Sequence, residues 1–555
     1  VLRKGTVHRA LGILHLTGFT LKVFTLYTLF CGLSVDKLIS QTLPVSNPLV
    51  QDYFRLKQLS GEVDTRVSLS VKPFAASFLD STSEHSEINY AGKDVLKGPD
   101  IFKVRVLPIS LDQQFNSSTA YGWNDGLMIP AKGYQQYISA GIFIKAGPLQ
   151  IQALPEFVYA ANPEYLTGND KTGSDRHTSY IALNDYGADL PPYYEAPNFS
   201  TFGIGQSSIR LNFGPGSIGI SNENLWWGPG RRNSLLMGNN ARGFKHLALN
   251  TTRPIHTPLG SFEGQIIAGR LENSNSTLND FKLDEWRYLS GMVISYQPKW
   301  VPGLSVGLTR AFQIYNSDIK GFGDYMPLFQ SFEKKKTNED YTRRDQITSV
   351  FARYLFTEAH AEVYAELARN DHSFDIRDFV QEPQHSRAYL VGFQKLVPLA
   401  GAGEGFLIGA ELTHLAQPLN RVLRSSGTWY VHNINQGYTH LGEVLGAGTG
   451  PGGNLQSLEL SWVKGIRKIG FQVERYEHNR DYYQQMIDPD DNYNENWTDL
   501  SGAFLTNWNF KNLLVRGKLA GVQSFNYQWQ TGIDDLPKRN LFNVHANLGL
   551  YYYFK

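Results

Sequence analysis

Cysteine is almost missing from this 555-residue chain. The single thiol, Cys31, sits inside an N-terminal apolar stretch, so neither a disulfide framework nor a thiolate zinc site can form. Phe30 precedes it where lipid attachment wants a small residue. Charge is also scarce, at 19% of residues, and beyond residue 40 the balance is 47 basic to 50 acidic. A net of −3 gives no reason to invoke nucleic acid, whose binding rests on clustered Lys and Arg. Beyond residue 40 no stretch approaches 18 consecutive apolar residues, which excludes an ordinary membrane-spanning helix there. Two familiar catalytic signatures are missing too: there is no His-Glu-x-x-His and no phosphate-binding Gly-x-x-x-x-Gly-Lys. Gly446–Gly453 lacks the following helix that a dinucleotide site needs and reads as a flexible loop. Asp488–Glu495 gathers oxygen ligands, but Tyr493 stands where a calcium-binding EF-hand loop requires Gly. The sequence therefore assigns no catalytic residue, no cofactor and no metal.

What the chain has in abundance is aromatic: 30 Tyr, 32 Phe and 10 Trp, alongside 52 Gly. Tyr and Trp suit a surface that passes from hydrocarbon to water, because one end of each is apolar and the other hydrogen-bonds. A soluble, Tyr-rich sandwich or propeller would share this composition. Residues 1–40 read as a signal peptide: Arg3, Lys4 and Arg9 precede an apolar run, Val23–Val35, of signal-core length. Cleavage is expected near Ser40–Gln41, although Leu38 fits a small-x-small site poorly. A membrane-anchoring helix is the other reading of that run.

Alternation with period two recurs along the chain. It marks Arg66–Lys72, His360–Leu367 and Ser457–Trp462, and is longest from Phe542 to Phe554. Strands near ten residues with one apolar face fit a membrane barrel better than a sandwich, whose strands are shorter. Turn signals fall at Ala146–Leu149, Phe213–Ser217 and Pro298–Gly303, while Phe332–Arg344 and Asp481–Asp499 read as surface loops. The expected fold is all-β: a transmembrane antiparallel barrel of about 18 strands over residues 63–555. Pro48–Leu59 departs from this pattern. Leu49, Tyr53, Leu56 and Leu59 recur at helical spacing, Asn47 can cap the helix, and Gly61 follows its end. Residues 41–62 are thus a helical plug segment or a linker before the barrel.

Two segments concentrate ligand-binding chemistry. In Glu223–Phe244, a Trp226-Trp227 pair is followed by a Gly-Pro-Gly turn that presents Arg231, Arg232 and Asn233, with Asn239, Asn240 and Arg242 nearby. Adjacent tryptophans face opposite sides of a strand, so one can meet lipid while the other turns inward. Aromatic faces stack on sugar rings, amides bond hydroxyls, and Arg forks fit uronate carboxylates. An aromatic girdle with a solvated turn explains the same residues. The second segment, Tyr121-Gly-Trp123-Asn124-Asp125-Gly126, has a similar mixture, although its Asn-Asp-Gly turn needs no ligand to account for it.

Glu223–Gly230, Asn233–Ala241 and Thr257–Gly264 together resemble the capsule assembly Wzi family, in its Bacteroidetes-type branch. Tyr121–Gly126, Tyr296–Pro298, Leu304–Arg310 and the opening Leu49–Pro73 carry the same resemblance, which spans nearly all of the chain after residue 40. The resemblance implies an 18-stranded outer-membrane barrel with a small helical plug. It also implies a lectin-like, non-enzymatic role in fastening capsular polysaccharide or exopolysaccharide to the surface of a Gram-negative cell. Partners would then be the polysaccharide, outer-membrane lipid and the export machinery, with no nucleic acid. A porin or substrate-specific channel is the alternative on the same fold, and a barrel hydrolase has least support.

Overall fold

The computed structural model describes residues 41–554 except 64–65, 77–90, 98–101, 166–186, 192–196, 275–284, 328–343, 371–379, 402, 419–426, 433–435, 489–494 and 530–538. The signal-peptide reading of residues 1–40, most of the loop 332–344 and most of the calcium candidate 488–495 lie outside the described residues.

One antiparallel sheet forms a closed wall. Its strands are β1 (Phe102–Val106, then Ile109–Tyr121), β2 (Ala131–Ser139, Ile142–Ala146), β3 (Leu149–Ala153, Glu156–Ala160), β4 (Phe199–Gly203, Ser208–Phe213), β5 (Gly216–Ser221) and β6 (His246–Thr251, Ile255–Thr257). Longer uninterrupted strands follow: β7 (Gly260–Leu271), β8 (Arg287–Pro298), β9 (Leu304–Tyr315), β10 (Asp345–Phe356), β11 (Ala361–Arg369) and β12 (Arg387–Pro398). The wall ends with β13 (Glu404–His414), β14 (Asn454–Lys464), β15 (Arg467–Glu477), β16 (Thr498–Phe510), β17 (Leu513–Phe525) and β18 (Leu541–Tyr552). The sheet's 24 segments reduce to these eighteen strands, because five strands are interrupted and Lys93–Lys97 is a short addition beside β1. Pairing of β18 with β1, His545 opposite Asn116 through Tyr552 opposite Ile109, closes the ring and leaves no free edge along that seam.

The residues dictate which side faces lipid. On β14, Leu458 and Leu460 are exposed outward (56% and 54%), while Ser457, Glu459 and Ser461 are buried inward. On β18, Phe542 and Leu548 point out, and Asn543, His545 and Tyr551 point in. Apolar-out and polar-in is the alternation of a membrane barrel. Tight turns join the strands at one end. Ala146 pairs with Leu149 around Gly147, whose φ of +60° is the left-handed region that favours glycine. Phe213 likewise pairs with Gly216, and Pro298 pairs with Gly260 at the same end. The longer connections, those after Ala160, Ser221 and His414 among them, leave the wall at the other end, which is the extracellular end in barrels of this kind.

The lumen is filled. Helix α1 (Pro48–Leu59) occupies the tight-turn end, packing Leu49, Val50, Tyr53 and Phe54 against Leu514, Tyr551 and Tyr553 of the wall. Arg55 donates to Glu362 (2.5 Å) and to Pro229 O (2.8 Å), tying the helix to β11 and to the inward loop described below. Pro48 begins the helix as expected, but Asn47 does not cap it; its Nδ2 reaches Tyr553 Oη instead (3.3 Å).

The alternation at Arg66–Lys72 does not make a wall strand. The segment runs inside the barrel, and only Val71–Lys72 is extended and paired. Both of its faces find partners there. Val67 and Leu69 cluster with Phe74, while the Ser68 N–H and hydroxyl donate to Glu263 (2.9 and 2.6 Å). Alternation records two unlike environments, and a polar-lined lumen supplies both. Gly446–Gly453 is also not the flexible loop its composition suggests. Its Ala447 N–H donates to Tyr430 Oη (2.9 Å), and Ala447 and Thr449 are buried. In the described part of 481–497, Tyr482 and Tyr483 are buried against Trp529 of the connection between β17 and β18.

Candidate functional site

Residues 222–245 leave β5 at the loop end and enter the lumen. Trp226 and Trp227 pair with Lys72 and Val71 as a short antiparallel ladder, so neither indole meets lipid and the segment is not a girdle. An eighteen-stranded barrel encloses more space than its own wall side chains fill, and this loop helps fill it. Trp227 is 0% exposed; its Nε1–H donates to Gln265 Oε1 (2.8 Å), and its ring lies on Gly291, where an added Cβ would stand 2.7 Å away. Trp226 lies under the Lys72 ammonium, 5.0 Å from the ring centroid.

The turn after Trp227 wraps an anion. Backbone N–H groups of Arg231 (2.7 Å), Arg232 (2.9 Å) and Asn233 (3.0 Å) all donate to the Glu411 carboxylate on β13, and the Tyr364 hydroxyl adds a fourth bond (2.9 Å). Such a nest of convergent N–H groups orders a Gly-rich turn around negative charge. The two guanidiniums are consequently not held out for a ligand. Arg231 pairs with Asp52 (3.3 Å) and Glu459 (3.8 Å), and Arg232 with Glu474 (2.7 Å). Burial disfavours the charge on Arg231, but Asp52 and Glu459 outweigh it and hold the group above its ordinary pKa. Asp52 is held low in return: burial pushes it up, and Arg231 and Lys468 more than compensate. Asn233 is buried and donates to Thr413 Oγ1 (3.1 Å).

The second segment is laced to the first. Asn124 (φ +59°) and Gly126 (φ +70°) form the expected turn, and Gly126 N–H donates to Asn239 O (2.8 Å). Asn124 Nδ2 reaches Arg232 O (2.5 Å), while Asn239 Nδ2 reaches Asn124 O (2.9 Å). Trp123 stands between Tyr121 and Tyr476, with ring centroids 5.1 and 5.4 Å away. Burial pushes the Asp125 carboxyl up to about 6, although it accepts a bond from Gln114 (2.9 Å).

The two segments meet at a luminal cavity of about 230 Å³, lined by Tyr121, Trp123, Asn124, Asp125, Trp226, Arg231 and Arg232. Trp227 and Asn233 stand behind it and do not line it. Asn239, singled out with the turn, is on its wall; sequence reasoning missed Gln114, Lys72, Arg516 and Lys518 there. A signal for the last two existed: on β17, Arg516 and Lys518 share one face, opposite Val515 and Leu519. Lys72, buried and beside the Arg55 charge, is pushed down to about 7. Four polar atoms of cavity residues, Gln114 Oε1, Asn124 Oδ1, Asn239 Oδ1 and Trp226 Nε1, have no hydrogen-bond partner among the described residues.

A closed, apolar-sided wall of eighteen strands with a folded interior defines an outer-membrane β-barrel whose lumen is plugged. The family model described as "Capsule assembly protein Wzi" matches residues 146–511, and the chain belongs to that family. The solved structure of Wzi, described as an outer membrane protein involved in group 1 capsule assembly in Escherichia coli and a carbohydrate-binding β-barrel, is similar at a TM-score of 0.59. Identity there is 12%, over 93% of this chain and 99% of that one. OccAB2 of Acinetobacter baumannii (12% identity, 81% of this chain and 98% of that) and a BenF-like porin of Pseudomonas fluorescens Pf-5 (7%, 82% and 99%) align only at TM-scores of 0.38. These are too remote to place the chain with them. No curated protein matches it in sequence.

Proposed function

We propose that this barrel binds capsular polysaccharide or exopolysaccharide at the cell surface without chemical turnover, and that the luminal cavity is one of its sugar contacts. Membership of the Wzi family supports the role, and the cavity wall supports the site. Trp123 and Trp226 supply flat apolar faces there. Gln114, Asn124 and Asn239 bring amide oxygens, and Trp226 an N–H, that lack protein partners among the described residues. Sugar hydroxyls satisfy such atoms while a pyranose face covers an aromatic ring. At about 230 Å³ the cavity has room for several waters, and so for a chain end or side branch of a polysaccharide. Retention then comes from many weak contacts along a repeating chain. Handling of the export machinery's product at the outer face follows from the same reading.

The test is capsule retention on cells carrying Trp123→Ala with Asn124→Ala. Both residues line the cavity, and neither lies in the buried core beneath the Trp-Trp pair. Release of polysaccharide into the medium, with normal amounts of heat-modifiable barrel in the membrane, is the expected result. Unchanged retention removes the cavity from the account.

A further inference from the structure

The wall has a notch on its lipid side. β5 is six residues long and pairs with only the Ser208–Phe213 half of β4. The other half, Phe199–Gly203, pairs with β3 and has no neighbour on the β5 side among the described residues. Past Ser221 the chain turns inward, and it is tied to β4 by Asn222 N–H to Ser207 O (3.0 Å), Asn222 Nδ2 to Gly205 O (3.2 Å) and, last, Asn224 N–H to Gln206 Oε1 (3.0 Å). Across the gap stand Lys245 and Arg270, joined through Arg270 N–H to Lys245 O (3.0 Å). An unpaired strand edge at membrane depth is unfavourable unless something polar covers it.

A pocket of about 210 Å³ opens in this notch. Phe202 (72% exposed) and Ile204 (52%) flank it, and Arg242, Lys245 and Arg270 supply its positive charge. Arg270 is committed to Glu272 (2.6 Å) and lies over Trp286. The other carboxylate on the pocket wall, Glu156, accepts from Tyr137 (2.8 Å) and Gln206 (3.0 Å), and His440 Nδ1 accepts the Glu272 N–H (3.0 Å). The side chains of Arg242 and Lys245 make no ion pair or hydrogen bond among the described residues, and Arg242 Nε is buried without a partner. Two cations without a direct ion pair, Arg242 acting only at longer range on the buried Glu443, stand beside exposed apolar side chains at the loop end of the wall and match the charge and polarity of an outer-leaflet lipid.

We propose that the notch binds a phosphate-bearing lipid of the outer leaflet, with its headgroup phosphate on Arg242 and Lys245 and an acyl chain along Phe202 and Ile204. The site stands apart from the luminal cavity and does not depend on the sugar-binding reading. The test is native mass spectrometry of the detergent-purified full chain with bis-phosphorylated lipid A, fully dephosphorylated lipid A and inorganic phosphate as probes. One bound bis-phosphorylated lipid is expected, held about tenfold more weakly without its phosphates or by Arg242→Gln/Lys245→Gln. Phe202→Ser should weaken it while leaving the phosphate preference intact. Equal binding by the double variant overturns the proposal, as does displacement of the lipid by equimolar inorganic phosphate. Unchanged heat-modified mobility and polysaccharide binding in the variants separate loss of this site from misfolding and from failure of the luminal reading.

Discussion

Replacing Glu411 with Gln tests the reasoning about the inward turn most severely. The carboxylate accepts four bonds, from three consecutive backbone N–H groups and from Tyr364 Oη. A carboxamide keeps the shape but offers one acceptor oxygen, and its NH₂ must face a donor. One or two charge-assisted bonds are lost, each worth roughly 1.5–3 kcal/mol, so about 1.5–6 kcal/mol of loop stability should go. In a protein of this size that lowers the heat-modifiability midpoint by a few degrees. The Arg231–Arg232 peptide should also become open to trypsin in the folded barrel, because the nest shields its backbone. A midpoint within one degree of the parent, with the same trypsin resistance, would refute the nest as the organiser of the turn.

Three further outcomes follow from the same geometry. Trp227→Ala empties a fully buried site beside Gly291 and should cost about 3–5 kcal/mol, read as a lower unfolding midpoint with the barrel still assembling. Asp125→Asn tests linkage. Folding raises this carboxyl from 3.8 to about 6, so the folded state holds the extra proton and stability falls as pH rises through that window. The variant should therefore be more stable at pH 7.5, by no more than about 3 kcal/mol, with the gain gone at pH 3.5; equal gains at both pH values would contradict the assignment. In planar bilayers the intact barrel should be nearly silent, since α1, the 66–76 segment and the inward loops occupy the lumen, and a stable porin-like conductance would reject the plugged reading.

Much of the wall was legible because lipid and lumen impose opposite demands on alternate residues. Leu458, Leu460 and Phe542 declare their outward side, and the Gly-Pro turns declare their end. The interior was harder to read. Arg66–Lys72 carries the alternation of a wall strand, yet Ser68 bonds Glu263 across 195 positions of sequence. Trp226 and Trp227 were recognisable as special, but their pairing with Lys72 and Val71 is a long-range contact with no local signature. Arg231 and Arg232 look like ligand-binding forks until Asp52, Glu459 and Glu474 arrive from three other elements. Sequence marks which residue types gather, and the enclosing barrel decides which of them are already satisfied.

The central claim is that the folded barrel recognises surface polysaccharide through its cavity and loops. Calorimetric binding of the purified, detergent-folded protein to its own organism's polysaccharide, with an unrelated glycan as control, tests it most directly. Selective, saturable binding that Trp123→Ala with Asn124→Ala weakens is the predicted result. No selective binding by a correctly folded barrel would contradict it.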